Sequence, residues 1–395
     1  MSDFPTLRLK PNKETSLKRY HPWVFSGALA LQPTGLTEGQ IVRIEGTQGN
    51  FLGTGHFQIG SIAVRVFSFE EVTIDREFWR KKLATALSLR RRVGLIGEPE
   101  HDMFRWVHGE GDGLPGLIVD VYGAVAVIQC HSIGFYHLRQ TLAELLMELL
   151  PEQLQAVYDK SSHSLPFQAK LDPEDGYLLG QSQPWIACEY GNRFQIDVEG
   201  GQKTGFFIDQ RENRALLAQY AQGRSVLNTF CYTGGFSVTA MQGGATRVDS
   251  VDSSQAAMAL TDANLALNFP GDERHTSHTA DVFSFLKKIR GEYDLIVLDP
   301  PAFAKHRKVL KNALKGYRSL NQMAFEQIKP GGIVFTFSCS QVVSRDDFRR
   351  AVFTAAAISR REVRILHQLS QPTDHPINIY HPEGEYLKGL VLAVE

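Results

Sequence analysis

The sequence predicts an α/β protein with a doubly wound parallel sheet in its C-terminal half, preceded by a small β-barrel and a compact central α+β unit. Three observations carry this. Beyond residue 190, strand-like apolar runs (RSVLNTF, RVDSVD, YDLIVLD, GGIVFTFS) alternate with helical stretches, the pattern of parallel strands joined by crossover helices. Over residues 1–70, short alternating runs such as QIVRIEG, FLGTGHF and SIAVRVFSF are broken by glycines, as in turn-linked strands of a barrel. A chain of 395 residues exceeds what one core usually supports, so two or three domains are expected.

Taken in order, residues 1–72 form the barrel, with little helix. At about residue 75 the pattern becomes DREFWRKKLATALSLRRRVG, where Phe78, Leu83, Leu87 and Leu89 recur at roughly helical spacing among basic residues. The turn-rich HGEGDGLPG, the strands LIVDVYG and AVAVIQC, and the amphipathic YHLRQTLAELLMELL complete a central domain over 73–182. Residues 183–395 carry the alternating pattern, and YLKGLVLAVE offers a further strand at the end. There is no internal repeat or low-complexity segment.

Composition narrows the setting. The 43% hydrophobic and 22% charged fractions are those of an ordinary globular protein. A net charge of −1 and pI of about 6.9 supply no global field for a polyanion, so nucleic acid would have to meet local basic patches. The four cysteines, Cys130, Cys188, Cys231 and Cys339, make no CxxC pair or metal-type spacing; no metal is expected, and a reducing cytoplasm fits. No apolar leader region and no run of about 18 apolar residues is seen, so neither a cleaved signal nor a membrane span is expected.

In an open α/β sheet, ligands collect beyond the carboxyl ends of the strands. After RSVLNTF comes CYTGGFSVTA, where Gly234 and Gly235 open a helix; such glycines admit close backbone approach, and the helix start offers free N–H groups. Asp252 follows RVDSV, 17 positions after Gly235, where a carboxylate can accept bonds from ribose hydroxyls. The pair suits any adenosine cofactor, and the missing G-x-G-x-x-G weakens a nicotinamide reading. The bland alternative is a packing glycine pair and a surface aspartate. YDLIVLDPPAFAK then ends its apolar run at Asp299, before Pro300 and Pro301 force a rigid turn. Its carbonyls could accept from an exocyclic base amino group, or the motif could be a plain strand stop. In FTFSCSQVV, residues 335–343, Cys339 stands where a strand should end. It is either a small core residue or a nucleophile at the rim.

Together FCYTGGFSV, DPPAF, FSCSQ and GQKTGFFIDQRENR resemble the S-adenosylmethionine-dependent ribosomal RNA methyltransferases that make 5-methylcytosine in bacterial large-subunit (23S) RNA. HPWVFSGAL resembles the opening of that family's RNA-binding PUA barrel, VHGEGDGLPGLIVD its central domain and DHPINIYHPEGEYLKG its closing motif, so the likeness spans the chain. It implies a Rossmann-like methyltransferase sheet, S-adenosylmethionine as cofactor and large-subunit ribosomal RNA as partner, and leaves a homodimer open. Carried over residue by residue, it gives Phe207, Asp209, Gln210 and Arg211 to the segment closing over the cofactor. Thr229, Tyr232, Gly234 and Gly235 match the loop around its methionine part, Asp252 the ribose acid, and Asp281 with Val282 the adenine edge. Asn228 stands where an acidic residue is often found. Asp299 is counted with the cofactor and as catalytic; Pro300, Pro301, Phe303, Lys305 and His375 are substrate candidates, and Cys339 matches the nucleophile.

Carbon 5 of cytosine is a poor nucleophile until a thiolate adds to carbon 6, and this demands one cysteine beside the transferable methyl. Cys130, Cys188 and Cys231 are read as spectators. His375, Glu383 and Glu385 are base candidates by type, although a buried histidine is more often structural. KHRKVLKNALK (305–315) and RRR (90–92) could neutralise phosphates, or be solvated helix faces. Two other readings compete: methylation of a base nitrogen at the Asp299-Pro300-Pro301 turn without a covalent intermediate, and an RNA-binding assembly factor without turnover.

Overall fold

Five short strands open the chain: β1 (Thr6–Arg8), β2 (Trp23–Phe25), β3 (Ile41–Glu45), β4 (Phe51–Phe57) and β5 (Ile62–Ser68), with a one-turn helix α1 (Thr15–Lys18). They form one sheet in the order β1-β3-β4-β5-β2, with β1 parallel to β3 and the other pairs antiparallel. Period-two alternation puts Val42, Ile44, Val64 and Val66 into a core with Leu7, Leu9 and Val24. The computed structural model describes residues 4–31, 34–98, 100–166, 171–304 and 306–395.

Helix α2 (Arg76–Arg92) starts where the Asp75 side chain accepts the Phe78 N–H at 2.8 Å. Strands β6 (Met103–His108), β7 (Leu117–Tyr122) and β8 (Val125–Cys130), helix α3 (Ile133–Leu149), β9 (Ala156–Asp159) and β10 (Gly176–Leu179) follow. Their sheet runs β10-β9-β8-β7-β6, with both helices packed into one apolar core. The His56 ring of β4 is buried against Phe67, Trp79 and Phe135. Two later stretches, 196–208 and 373–384, belong to this same compact unit. Within it Arg105 N donates to Asp374 at 2.8 Å, and the buried Arg90 pairs with Asp112 and donates to the Asp374 carbonyl. Arg90 is therefore an internal ion-pair residue; the reading of RRR as a phosphate contact fails at its first member.

A hairpin of β11 (Trp185–Glu189) and β12 (Asn192–Ile196) leads onward. The second unit is residues 189–195, 209–372 and 385–395. It contains α4 (Arg211–Ala221), β13 (Ser225–Thr229), α5 (Gly235–Gln242), β14 (Arg247–Asp252), α6 (Gln255–Asn268), β15 (His275–Thr279) and α7 (Val282–Leu286). After these come β16 (Leu295–Leu298), α8 (Leu310–Gln327), β17 (Gly332–Ser338), α9 (Arg345–Ser359), β18 (Val363–Leu369) and β19 (Lys388–Val394). The sheet order is β15-β14-β13-β16-β17-β19-β18. The five strands β13 to β17 are parallel, as a doubly wound sheet requires, whereas β19 runs antiparallel to both β17 and β18. No helix among the described residues is long and apolar enough to cross a membrane.

Candidate active site

Strand order reverses between β13 and β16, since the chain first builds outward to β14 and β15 and then returns to β16 on the other side. The crevice beyond the carboxyl ends at such a reversal is where an open α/β sheet holds its ligand. Along this edge lie, in order, Asp281 after β15, Asp252 ending β14, the loop after β13, Asp299 after β16 and Cys339 after β17. Lys388 opens the antiparallel β19 opposite Ser338, so it reaches the same edge from the other direction.

The loop from Thr229 to Gly235 is bent by unusual backbone. Phe230 and Tyr232 have φ of 53° and 49°, and Gly234, the N-cap of α5, has φ of 79°. Left-handed non-glycine residues are costly and cluster where a loop is shaped for a ligand. A Cβ on Gly234 would stand 2.8 Å from the Thr261 methyl, so only glycine fits. The Asp252 carboxylate is oriented by the N–H groups of Tyr232 (3.1 Å) and Ser254 (2.9 Å). Thr229 is buried and bonded to the Val297 carbonyl at 2.6 Å, so its hydroxyl serves the sheet. Asn228 donates to Ser237 at 2.8 Å, while its Oδ1 is buried without a hydrogen-bond partner. An ammonium group arriving at this strand end would satisfy that oxygen. Asp281 caps α7 by accepting the Ser284 N–H at 2.8 Å, and the Ser284 side chain together with that N–H holds its carboxyl below the usual aspartate range; the Val282 side chain is in the core.

Around Asp299 the second unit assembles a polar cluster. Gln210 donates to it at 3.1 Å and is itself held by Asn213 at 2.7 Å, while the Tyr386 hydroxyl donates to Asp209 at 2.8 Å. Removal from water and the like charge of Asp209 raise the Asp299 carboxyl to about 7, against the opposing pull of Gln210 and Arg214. Arg211 is buried, and Arg214 forms a buried ion pair with Glu189 at 2.6 Å. Pro300 is buried and Pro301 exposed. Phe303 lies 4.7 Å from the Tyr317 ring, whose hydroxyl accepts from Ser338 at 3.0 Å.

The Cys339 thiol is half-buried, 4.0 Å from the Pro300 carbonyl, between buried Ser338 and Ser340. Lys388 is buried beneath it and donates to the carbonyls of Ser340 (2.6 Å) and Val343 (2.8 Å). Desolvation draws its ammonium down to about 8, with Glu385 and Cys339 acting in the opposite sense. Lys388, Asn213 and Tyr386 were not anticipated; the one signal for Lys388 was a lone cation heading an otherwise apolar strand. Cys130 and Cys231 are buried and their thiols raised by desolvation, Cys231 to about 12; Cys188 is half-buried and donates to the Glu100 carbonyl at 3.1 Å.

Phe207, His375 and Glu383 belong to the first unit, where His375 is buried and bonded to Asp374 at 2.9 Å. Glu385, in the second, pairs with Arg345. Lys305 lies outside the described residues. In the first unit, ligand-type atoms of His21, His381 and Glu383 lie within 4.8 Å of one another, the one such grouping among the described residues. His21 accepts the Trp23 N–H on Nδ1, however, which leaves its Nε2 to carry the proton of a neutral ring toward Glu383 at 3.6 Å. That polarity suits a carboxylate rather than a cation.

Comparison with known proteins places the chain in a family. The family model of S-adenosylmethionine-dependent methyltransferases matches residues 136–378, and that of PUA-like domains matches residues 7–69. Ribosomal RNA large subunit methyltransferase I of Shewanella amazonensis is 40% identical, covering 98% of this chain and 99% of its own. The protein of that name from Shewanella frigidimarina is 39% identical, with 98% and 99% covered. A solved S-adenosylmethionine-dependent methyltransferase from Streptococcus mutans shares the fold at TM-score 0.83 and 24% identity, over 99% of this chain and 100% of that one. Matched by both family models and by full-length relatives at this identity, the chain belongs to the S-adenosylmethionine-dependent methyltransferases, in the family of ribosomal RNA large subunit methyltransferase I.

Proposed function

We propose that this protein methylates carbon 5 of a cytosine in large-subunit ribosomal RNA through a covalent adduct of Cys339 to carbon 6. The observation that carries the reading is the pairing of a half-buried thiol with the Asp299-Pro300 turn, 4.0 Å from the Pro300 carbonyl, on the strand edge that holds the cofactor loop. Bound S-adenosylmethionine supplies an electrophilic methyl group there. Asn228, Gly234, Tyr232 and Asp252 would hold it, with the unpaired Asn228 oxygen meeting its ammonium and Asp252 its ribose.

The residues then divide the work. The Lys388 ammonium, fixed under the Cys339 turn, favours the thiolate. The sulfur adds to carbon 6, and the electron pair of the 5,6 double bond moves toward the ring nitrogen. Asp299, which keeps its proton to about pH 7, donates to that nitrogen. Carbon 5 takes the methyl group, whose former carrier would leave as the neutral thioether, and the ring nitrogen returns its proton to Asp299. A base then removes the carbon 5 proton and the sulfur is eliminated as thiolate, restoring the ring. The exposed Arg307, Lys308, Lys311 and Lys315 follow the Asp299-Pro300-Pro301 turn, and would contact phosphates.

The test is RNA carrying 5-fluorocytidine at its cytosines. Fluorine cannot leave as a proton does, so the adduct should stall after methylation. Wild type with cofactor is expected to give a denaturation-resistant RNA complex whose crosslinked peptide contains Cys339. Turnover on unmodified RNA without any such complex would instead favour nitrogen methylation at the Asp299 turn.

A further inference from the structure

The turns that carry Asp299 and Cys339 leave neighbouring parallel strands, and the pairing of β16 with β17 ends at Leu298 and Thr336, before either functional residue is reached. Beyond that point side chains join the two turns on both sides of the thiol. Ser340 donates to the Ala304 carbonyl at 2.6 Å, and Ser338 donates to the Tyr317 hydroxyl at 3.0 Å. Tyr317 comes from α8 and is 0% exposed; its ring contacts Phe303 at 4.7 Å and Phe348 at 5.4 Å and 87°. One side chain thus meets the residue before Cys339 through its hydroxyl, and the end of the Asp299-Pro300-Pro301-Ala302-Phe303 turn through its ring. The neighbouring Gly316 serves the same contact. Glycine weakens a helix interior relative to alanine, yet a Cβ here would stand 2.9 Å from the Phe303 ring. The bare position lets Phe303 lie against α8. All of these residues belong to the second unit.

We propose that Tyr317 is a positioning residue of the methyl transfer, setting the spacing between the Cys339 thiol and the Asp299 carboxyl. Being fully buried, it acts through Ser338 and Phe303 rather than on RNA. The inference rests on Cys339 being the nucleophile. Addition of sulfur to carbon 6 needs the reacting atoms about 3–3.5 Å apart, and a displacement of about 1 Å can cost about 100-fold in rate. A phenol also suits a place beside two ionisable groups. Burial, opposed by the Ser338 bond and reinforced by the charges of Cys339 and Asp299, raises its hydroxyl to about 12, so it stays neutral while they titrate.

The experiment compares full-length wild type, Tyr317→Phe, Ser338→Ala and the double variant. Four quantities are measured: the rate of adduct formation on RNA carrying 5-fluorocytidine, kcat and KM on unmodified RNA, cofactor affinity by calorimetry, and thermal melting. Either single variant is expected to slow adduct formation and kcat about 10- to 100-fold, with KM for RNA and cofactor affinity within about threefold of wild type. The double variant is expected to be no slower than Tyr317→Phe, because both changes break one tether. Its melting temperature should recover toward wild type, because no buried hydroxyl is left without its partner. Wild-type rates in Tyr317→Phe overturn the proposal, as does recovery of both melting temperature and rate in the double variant, which would leave Tyr317 a core residue alone. Wild type that transfers methyl groups without forming an adduct sinks the Cys339 reading and the inference with it, whereas a wild-type adduct with unaltered variants sinks the inference alone.

Discussion

Cys339 and Asp299 meet at one turn in different surroundings, the thiol 4.0 Å from the Pro300 carbonyl and, in the proposed mechanism, favoured as thiolate by the buried Lys388, the carboxyl raised by lost water and by Asp209. Lys388→Met should therefore slow methyl transfer at least tenfold and shift the pH midpoint of Cys339 alkylation upward, a change that simple loosening of the turn would not produce. A carboxyl raised to about 7 holds its proton where a free aspartate has lost it. Activity that needs that proton falls as pH rises through about 7. The pH profile of kcat/KM should show this falling limb, and Asp299→Asn should abolish it while lowering the rate by about 10²- to 10⁴-fold. The same shift makes folding less favourable as pH rises from about 4 to about 7, since the unfolded chain releases this proton first. Residue identity alone marked Cys339 and Asp299 as candidates. It could not reveal that Asn228 keeps an unpaired oxygen or that Lys388 is folded under the thiol, because both depend on packing between strands distant in sequence.

At the scale of elements, the loop proposed to hold the cofactor is bent by left-handed backbone at Phe230, Tyr232 and Gly234. Gly234→Ala would put a methyl group 2.8 Å from Thr261 at a φ of 79°; cofactor affinity, measured by calorimetry, is expected to fall at least tenfold. The strands β13, β14, β16 and β17 were legible as apolar runs, since strands covered on both faces read that way. β18 was not, because Arg364, Ile365, Leu366 and Gln368 are exposed at the sheet edge and blur the alternation. The direction of β19 was equally hidden, as an apolar run has no sense of parallel or antiparallel. Asp281 illustrates the reverse difficulty: its position after β15 suits an adenine contact, while its side chain is occupied in capping α7.

For the whole molecule, a chain with net charge −1 must confine its basic character to patches, and the structure separates real ones from apparent ones. Arg90 looked like part of a basic run and is buried on Asp112, whereas Arg307, Lys308, Lys311 and Lys315 are exposed. The first unit depends on a tight junction at His56, held neutral by burial down to about pH 3. Because the unfolded chain takes up that proton near 6.5, stability from this group is present above about 6.5 and is lost as pH falls toward 3. A Cβ at Gly134 would stand 2.2 Å from the His56 ring, so Gly134→Ala should destabilise the first unit by about 1–3 kcal/mol in thermal melts.

The central claim is that Cys339 is the nucleophile of a carbon methylation. Transfer of a labelled methyl group from S-adenosylmethionine to unmodified large-subunit RNA, with the product nucleoside identified by chromatography, tests it directly in wild type and Cys339→Ala. The account predicts 5-methylcytidine from wild type and none from the variant, with cofactor affinity within a few-fold of wild type. An active variant, or a product methylated on nitrogen, would contradict it and return the chemistry to the Asp299-Pro300-Pro301 turn.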